Sequence, residues 1–451
     1  MNKKSQNSKF WRVFVGPVEI AGIADGIAQG LCDLGVDAQV LLSTAHRFEY
    51  GNTTRIGLIC LWQRIGQLRA KTSRDSFFLK IALVLLHRLL GVVVLLYAAI
   101  RFDAFIFIYG QTITNSRFEL WLLRQMGRKI VFFGVGSDTR PPYVDGGLFP
   151  GIAEDDLPDP AILGRLARER KQRLRIQEFY ADFWINAPAS AQFHERRYIN
   201  WSAIGVPKKI VVPSSLEDRT SSVVRILHSP SNALAKGTPL ILEAIERLRI
   251  KGYEIELILI QDMPNARVLE ELARCDFIID QLYSDAPMAG FSAEAAFFGK
   301  PAVIGGYFSN WIGSLDSASV PPSLFVAPEE IQEAIERLIS DAKLRLELGE
   351  RAKLFVTERW NVRGVAARFL RLLNDDVPED WWCEPGTVCY LEGSGLPLAR
   401  AKRLVASLIE YGGVSALQLG DKPDFERAFC HFADYPPPRG DETVSLYETK
   451  R

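Results

Sequence analysis

The chain carries no net charge: its 54 lysines and arginines are matched by 54 aspartates and glutamates. With no global field to draw in a polyanion, nucleic-acid binding is not expected. Cysteine and histidine are scarce, at 6 and 5 residues. Cys32, Cys60, Cys275, Cys383, Cys389 and Cys430 are scattered, with no CxxC pair and no Cys/His cluster at zinc spacing, which excludes a disulfide scaffold and a zinc module. They read as reduced thiols of a cytoplasmic protein, although Cys383 and Cys389 could hold a metal with His431. Residues 1–9 are polar and the apolar run after them is only strand-length, so no signal peptide is expected. No short-period repeat is visible.

An uninterrupted membrane span is missing as well. Residues 77–100 are apolar over most of a spanning length, but Lys80, His87 and Arg88 break the run. A central arginine costs about 2.5–3.5 kcal/mol on insertion scales. Arg64, Arg69, Lys71, Arg74, Lys80 and Arg88 precede or enter this stretch, and only Asp75 opposes them. Residues 64–100 therefore read either as a core helix before the next strand or as a segment lying in a membrane interface, where each cation adds about 1 kcal/mol near anionic lipid. The second reading places a cytoplasmic protein at the inner face of the membrane.

What is present is length and alternation. At 451 residues the chain exceeds the roughly 250–300 residues at which a single core stops growing, so two domains are expected. Strand-like runs at 11–16, 36–42, 102–109, 129–133 and 183–186 alternate with helical patterns such as 20–34, whose apolar residues recur every three or four positions. After a polar link at 213–222 a second series begins: strands at 223–228, 254–260, 276–280 and 302–304 alternate with helices at 239–248, 266–273 and 292–298. Further helices at 328–339 and 362–373 end it. Two such series predict an α/β protein of two Rossmann-like domains facing a central cleft, with ligands at the carboxyl ends of the strands. The boundaries expected are 1–205, 206–374 and an extension of unassigned role, 375–451, with one helical stretch at 398–408.

Two stretches carry chemistry. In the first, His228 and Ser229 end a strand and a small-residue loop leads to Lys236, Gly237 and a helix start. Thr238 suits the N-cap there and Pro239 the first turn. A lysine just ahead of a helix N-terminus opposes the macrodipole by about 0.3–1 kcal/mol, and a bound anion would reverse that sign; the alternative is a solvated surface lysine. In the second stretch Gly290 permits close backbone approach, Phe291 follows it, and Ser292 begins a helix whose free N–H groups can receive phosphate oxygens. Glu294, in the first turn, would point into the same cleft or simply favour the dipole. His228 is either a donor contact or a satisfied loop histidine. Gly16, before Pro17, either lines the cleft on the acceptor side or makes a tight turn. Gly22, Gly26 and Gly30 recur along one helix, where each costs about 1 kcal/mol against alanine, so close packing against a neighbour must offset them.

Taken together, Lys236-Gly237-Thr238 and the stretch from Gly290 to Gly299-Lys300-Pro301 resemble, in order and spacing, the donor half of retaining GT-B glycosyltransferases of the large family-four group. Residues 102–107, 129–133 and Gly136-Ser137-Asp138-Thr139-Arg140 resemble the first half of the same group more loosely. The similarity covers roughly residues 11–372. It implies a nucleotide-diphosphate sugar as donor substrate, Lys236 compensating diphosphate charge, Glu294 binding the ribose, and Asp138 facing the cleft to order acceptor hydroxyls or cap the loop. The donor side would be Gly16, His228, Ser229, Lys236, Gly237, Gly290, Phe291, Ser292 and Glu294. A glycan, lipid-linked or small-molecule acceptor is expected, with no cofactor and no metal; Asp155 and Asp156 are adjacent rather than spaced as a metal motif. Two departures stand out. Val135 replaces a frequent histidine, and Ala286, beside Asp285, replaces a second glutamate. A sugar-nucleotide epimerase, a phosphorylase and a non-catalytic sugar-nucleotide-binding protein are the alternatives.

Overall fold

In a computed structural model, the described residues are 10–44, 57–72, 76–149, 156–208, 210, 223–314 and 320–435. The link at 213–222, together with Arg74, Asp75 and Asp155, lies outside them. The first half runs β1 (Arg12–Gly16), α1 (Ile23–Asp33), β2 (Asp37–Val40), α2 (Gly57–Lys71), α3 (Phe77–Arg101), β3 (Ala104–Ile108), α4 (Arg117–Gln125), β4 (Lys129–Phe133), α5 (Pro160–Tyr180), β5 (Phe183–Asn186), β6 (Tyr198–Asn200) and α6 (Trp201–Ile204). The second runs β7 (Val224–His228), α7 (Thr238–Ile250), β8 (Ile255–Leu259), α8 (Asn265–Leu272), β9 (Phe277–Ile279), α9 (Gly290–Phe297), β10 (Ala302–Gly305), β11 (Leu324–Val326), α10 (Ile331–Ser340), α11 (Ala342–Arg359) and α12 (Val362–Leu373). The extension adds β12 (Trp382–Cys383), α13 (Leu398–Gly412) and α14 (Pro423–Phe432).

Two parallel sheets result, as expected. The first has order β12-β6-β5-β4-β3-β1-β2, with β12 the one antiparallel member, and the second β11-β10-β9-β7-β8. Strand periodicity sorts the first sheet's side chains onto two faces. Phe14, Phe105, Phe107, Phe132 and Trp184 point one way, with Phe132 and Trp184 stacked at 5.0 Å. Val13, Val15, Ile106, Ile108, Val131 and Ile185 point the other. Both faces are apolar because both are covered.

The aromatic face is covered partly by the extension. Leu404, Val405 and Leu408 of α13 and Phe425 and Phe429 of α14 share that core with Tyr143 and Phe193, and the Tyr143 hydroxyl donates to Leu417 O at 2.9 Å. The opposite face is covered by α1 and α12. Here the glycine repeat finds its reason: a Cβ built on Gly30 would lie 2.1 Å from Val362 O, and one on Gly26 would lie 2.8 Å from Pro207 O. Gly22 instead takes φ +80° as the N-cap of α1. Helix α12, which follows the second sheet in the chain, thus belongs by packing to the first.

Helices α2, α5 and α11 were not anticipated. The 21 residues of α5 are rich in arginine and glutamine with no clean apolar stripe, yet Leu163, Ala167 and Leu174 are buried. Their spacing is hidden because polar residues of the same helix, Lys171, Gln177 and Glu178, are buried with them.

Candidate functional site

In each sheet the first strand lies between the second and third, so the connections leave in opposite directions and a crevice opens at the carboxyl ends. In the second sheet this switch point falls between β7 and β9. A cavity of about 310 Å³ occupies it, within the range of small-molecule sites. Its floor is Ser229 and Ser231 after β7, Asp262 and Asn265 after β8, and Asp280 after β9. Lys236, Gly290, Phe291 and Glu294 form one wall, and Ile20 and Ala21 of the first domain close the other. The two domains approach closely there, since a Cβ built on Gly290 would lie 3.2 Å from the Ala21 Cβ.

Lys236 sits at the end of the tight loop before α7. Its N–H donates to Asn232 O, and its carbonyl accepts from Leu282 N at 2.9 Å, which pins the loop to the segment after β9. The ammonium donates to Gln281 Oε1 and stands 3.7 Å from Asp280 Oδ1. Asp280 is buried, and its other oxygen accepts from Ser292 Oγ at 2.7 Å. Ser292 Oγ also accepts from Ala289 N at 2.8 Å. One polar chain therefore ties the lysine to the first turn of α9, whose opening amides have no acceptor within the helix.

Glu294 lines the cavity from the second turn of α9, because the helix begins at Gly290 and not at Ser292. Its Oε1 accepts from Lys208 Nζ at 2.8 Å and its Oε2 from Asn265 Nδ2 at 3.1 Å. Both charged side chains of the pair are about 96–97% buried. Lys208 also donates to Ala21 O, so a single lysine ahead of the second sheet fastens Glu294 to the first domain's β1–α1 loop.

Of the expected donor residues, Ser229, Lys236, Gly290, Phe291 and Glu294 meet in this cavity. Ser292 acts behind it through Asp280. His228 is fully buried and points inward. Its Nδ1 faces Ile279 O at 2.8 Å, so that nitrogen carries the proton, and Nε2 accepts from Thr238 Oγ1 at 2.9 Å. Burial pushes its pKa below the ordinary histidine value, consistent with a neutral ring that anchors the start of α7 rather than facing a ligand. Thr238 is accordingly not the N-cap: Gly237 is, at φ +69°. A Cβ on Gly237 would lie 2.4 Å from the Leu282 Cβ, so this glycine allows two loops to touch and does not line the cavity.

Gly16 and Asp138 lie away from the cavity too. Gly16, at φ +149°, lets Leu41 O approach to where a Cβ would stand at 2.3 Å, while Pro17 lines a different cavity in the first domain. Asp138 is buried within the first domain, where Oδ1 accepts from Val135 N at 2.9 Å and burial raises its pKa. Across the domain boundary, Asp285, the neighbour of Ala286, is paired with buried Arg140, which is itself 3.5 Å from Asp145. Lys208, Asn265 and Asp280 were not singled out in the sequence. Each comes from a different segment of the chain with no motif around it, and only the fold brings them together. Among the described residues no cluster of three His, Cys, Asp or Glu could hold a metal, so Cys383, Cys389 and His431 do not converge.

No protein-family model matches the sequence, and neither does any curated protein. Among solved structures, the sucrose-phosphate synthase of Thermosynechococcus elongatus is similar at 13% identity over 81% of this chain and 98% of that one, with a TM-score of 0.49. HepE of Anabaena, solved with UDP and glucose, is similar at 13% identity over 81% and 99%, TM-score 0.45. The glycosyltransferase SnogD of Streptomyces nogalater is similar at 15% identity over 80% and 99%, TM-score 0.38.

Proposed function

We propose that the chain is a cytoplasmic glycosyltransferase that moves a sugar from a nucleotide-diphosphate donor, held at the switch point of the second sheet, to a glycan, lipid-linked or small-molecule acceptor on the first domain's side. The observation that carries this is the meeting, in one cavity between two Rossmann-like domains, of Lys236, the N-terminal turn of α9 and Glu294. In this reading the cation and the helix amides take the diphosphate. Glu294, which also accepts from Lys208 and Asn265, takes the ribose hydroxyls.

In the reaction the bond between the sugar's anomeric carbon and the diphosphate oxygen breaks, and the electron pair stays with the diphosphate. Lys236 and the α9 amides stabilise the charge that grows there, which is the larger share of what such a site can contribute, so no metal is called for. The acceptor oxygen bonds the anomeric carbon on the face the diphosphate leaves. Its proton passes to the departing phosphate oxygen. Retention then needs no protein nucleophile, in keeping with the enclosed position of Asp138. Asp280 and Gln281 orient the lysine in the meantime.

A thermal-shift screen of nucleotide sugars tests donor binding, since a ligand at 100 times its dissociation constant stabilises the native state by about 2.7 kcal/mol. Release of nucleoside diphosphate in the presence of acceptors tests transfer. No stabilisation by any nucleotide sugar would overturn the donor site. Stabilisation without turnover on any acceptor would favour a non-catalytic binding protein, to which Val135 and Ala286 point. Product analysis separates transfer from epimerisation.

A further inference from the structure

We propose that the cavity between α3 and the turn ahead of α4 binds the phosphate-bearing head of a membrane lipid, while the outer face of α3 lies on the membrane. This rests on the function proposed above, in which the first domain is the acceptor side. Helix α3 spans 25 residues and is by length and composition long enough to cross a membrane, but Val94, Leu95, Ala98 and Ala99 are packed into the first domain's core. Its other face is apolar and open: Phe78 is 86% exposed, Leu89 66% and Ile100 70%. A surface helix of a globular domain normally turns its polar face outward, and an apolar face this long marks an interaction surface.

Charge selects the occupant. Neither α2 nor α3 contains an acidic residue, whereas Arg64, Arg69, Lys71, Lys80 and Arg88 all belong to them. A second copy of the chain docked face to face would bring these cations together, because an isologous contact pairs a patch with itself. An anionic lipid surface supplies both an apolar layer and opposite charge.

The head has a place to go. A cavity of about 610 Å³ opens beside α3, with Arg69, His87 and Arg88 on one side and the turn at 111–116 on the other. His87 is 8% exposed and stacks on Trp62 at 5.4 Å, and its Nε2 has no hydrogen-bond partner among the described residues. Val92 and Leu96 line the cavity and are also about half exposed on the outer face of α3. A molecule with its head among the arginines would therefore lay its tail along that face. Pro17 and Val18 form part of the cavity wall, and Ile20 and Ala21 of the same loop line the donor cavity. One short loop separates the two sites.

The test uses the full chain in flotation with vesicles of phosphatidylcholine alone or mixed with phosphatidylglycerol, at low salt and in high salt. Flotation is expected only with the anionic vesicles, weakening as salt screens the cations. At about fivefold per lost cation, R69Q/R88Q should bind about 25-fold more weakly, and L89E should not float. Alkaline carbonate should strip the protein. Protein that stays at the bottom with all vesicles, unchanged binding by R69Q/R88Q, carbonate resistance, or glycerol phosphate binding as tightly as the vesicles would each overturn the proposal; the last would assign the cavity to a soluble phosphate. Nucleotide-sugar binding, measured by calorimetry on the same preparations, keeps the two questions apart. Vesicle binding without it sinks the donor reading alone, and donor binding without flotation sinks the lipid site alone.

Discussion

Lys208 and Glu294 offer the sharpest energetic test of the donor cavity. Their side chains are almost completely buried, the charges are 2.8 Å apart, and Lys208 also holds Ala21 of the opposite domain. Removing one member of such a pair costs about 3–5 kcal/mol, because the charge left behind has already given up its water. Asn265, 3.1 Å from the other carboxylate oxygen, stays in K208M and should hold the loss near the lower end, at about 3 kcal/mol. E294M should cost a similar amount. If the cost comes from the unpaired charge, the double variant K208M/E294M should recover about 1–3 kcal/mol of the summed losses, which is the coupling expected of residues in contact. Urea unfolding of the four proteins closes the cycle. Single losses under about 0.5 kcal/mol, with an additive double variant, would match surface ion pairs and refute the account of a buried clasp between the domains.

Other consequences of the site can be measured independently. K236A should lower turnover far more than donor affinity, since charge on the diphosphate grows toward the transition state. E294Q, by contrast, also leaves the buried Lys208 facing a neutral amide and so lowers stability; in its folded fraction it should weaken donor binding rather than turnover, by about 1.5–3 kcal/mol for a charge-assisted hydrogen bond. Steady-state kinetics with calorimetric titration checks the contrast, and wild-type turnover by K236A would remove the diphosphate from the start of α7. G237A forces a side chain into a left-handed conformation costing about 1–2 kcal/mol and against Leu282 besides; its melting temperature should fall, and an unchanged one would mean the two loops can part freely. For Asp138, burial raises the folded-state pKa, so its contribution is complete at acid pH and is lost as pH rises through the folded value. D138N lacks that loss. Wild type should therefore lose stability relative to D138N as pH rises above the ordinary aspartate value of 3.8, and a difference that stays constant with pH would contradict the assigned direction.

Periodicity made most of the two sheets legible. The strands at Lys129–Phe133 and Phe183–Asn186 and the helix at Val362–Leu373 coincide with their expected bounds, and the other expected strands and helices of the two series lie within a few residues of theirs. Lys236 and Gly290 were legible for a local reason: a lysine beside a helix start and a glycine opening the next are features of neighbouring residues. Lys208, Asn265 and Asp280 have no such signature, because their partners are distant in the chain and each alone looks like an ordinary polar residue. The same limit explains His228. A histidine ending a strand at a cleft can face either way, and only the positions of Ile279 O and Thr238 Oγ1 turn it inward. Helix α5 was missed because its buried leucines are diluted by arginines. The packing of the extension was missed because Leu404 and Phe429 are ordinary core residues whose partners lie in the first half of the chain.

That packing also bears on how the protein is made. The aromatic face of the first sheet, with Phe105, Phe107 and Phe132, is synthesised early, but α13 and α14, which help cover it, follow the whole second domain. At roughly 5–20 residues per second of synthesis, that face waits on the order of ten seconds or longer for part of its cover. During this interval the nascent chain presents rows of phenylalanine on a partly finished sheet, the kind of surface on which aggregation starts. The second sheet is exposed for a shorter time, because α7 to α11, which pack against it, emerge with its strands.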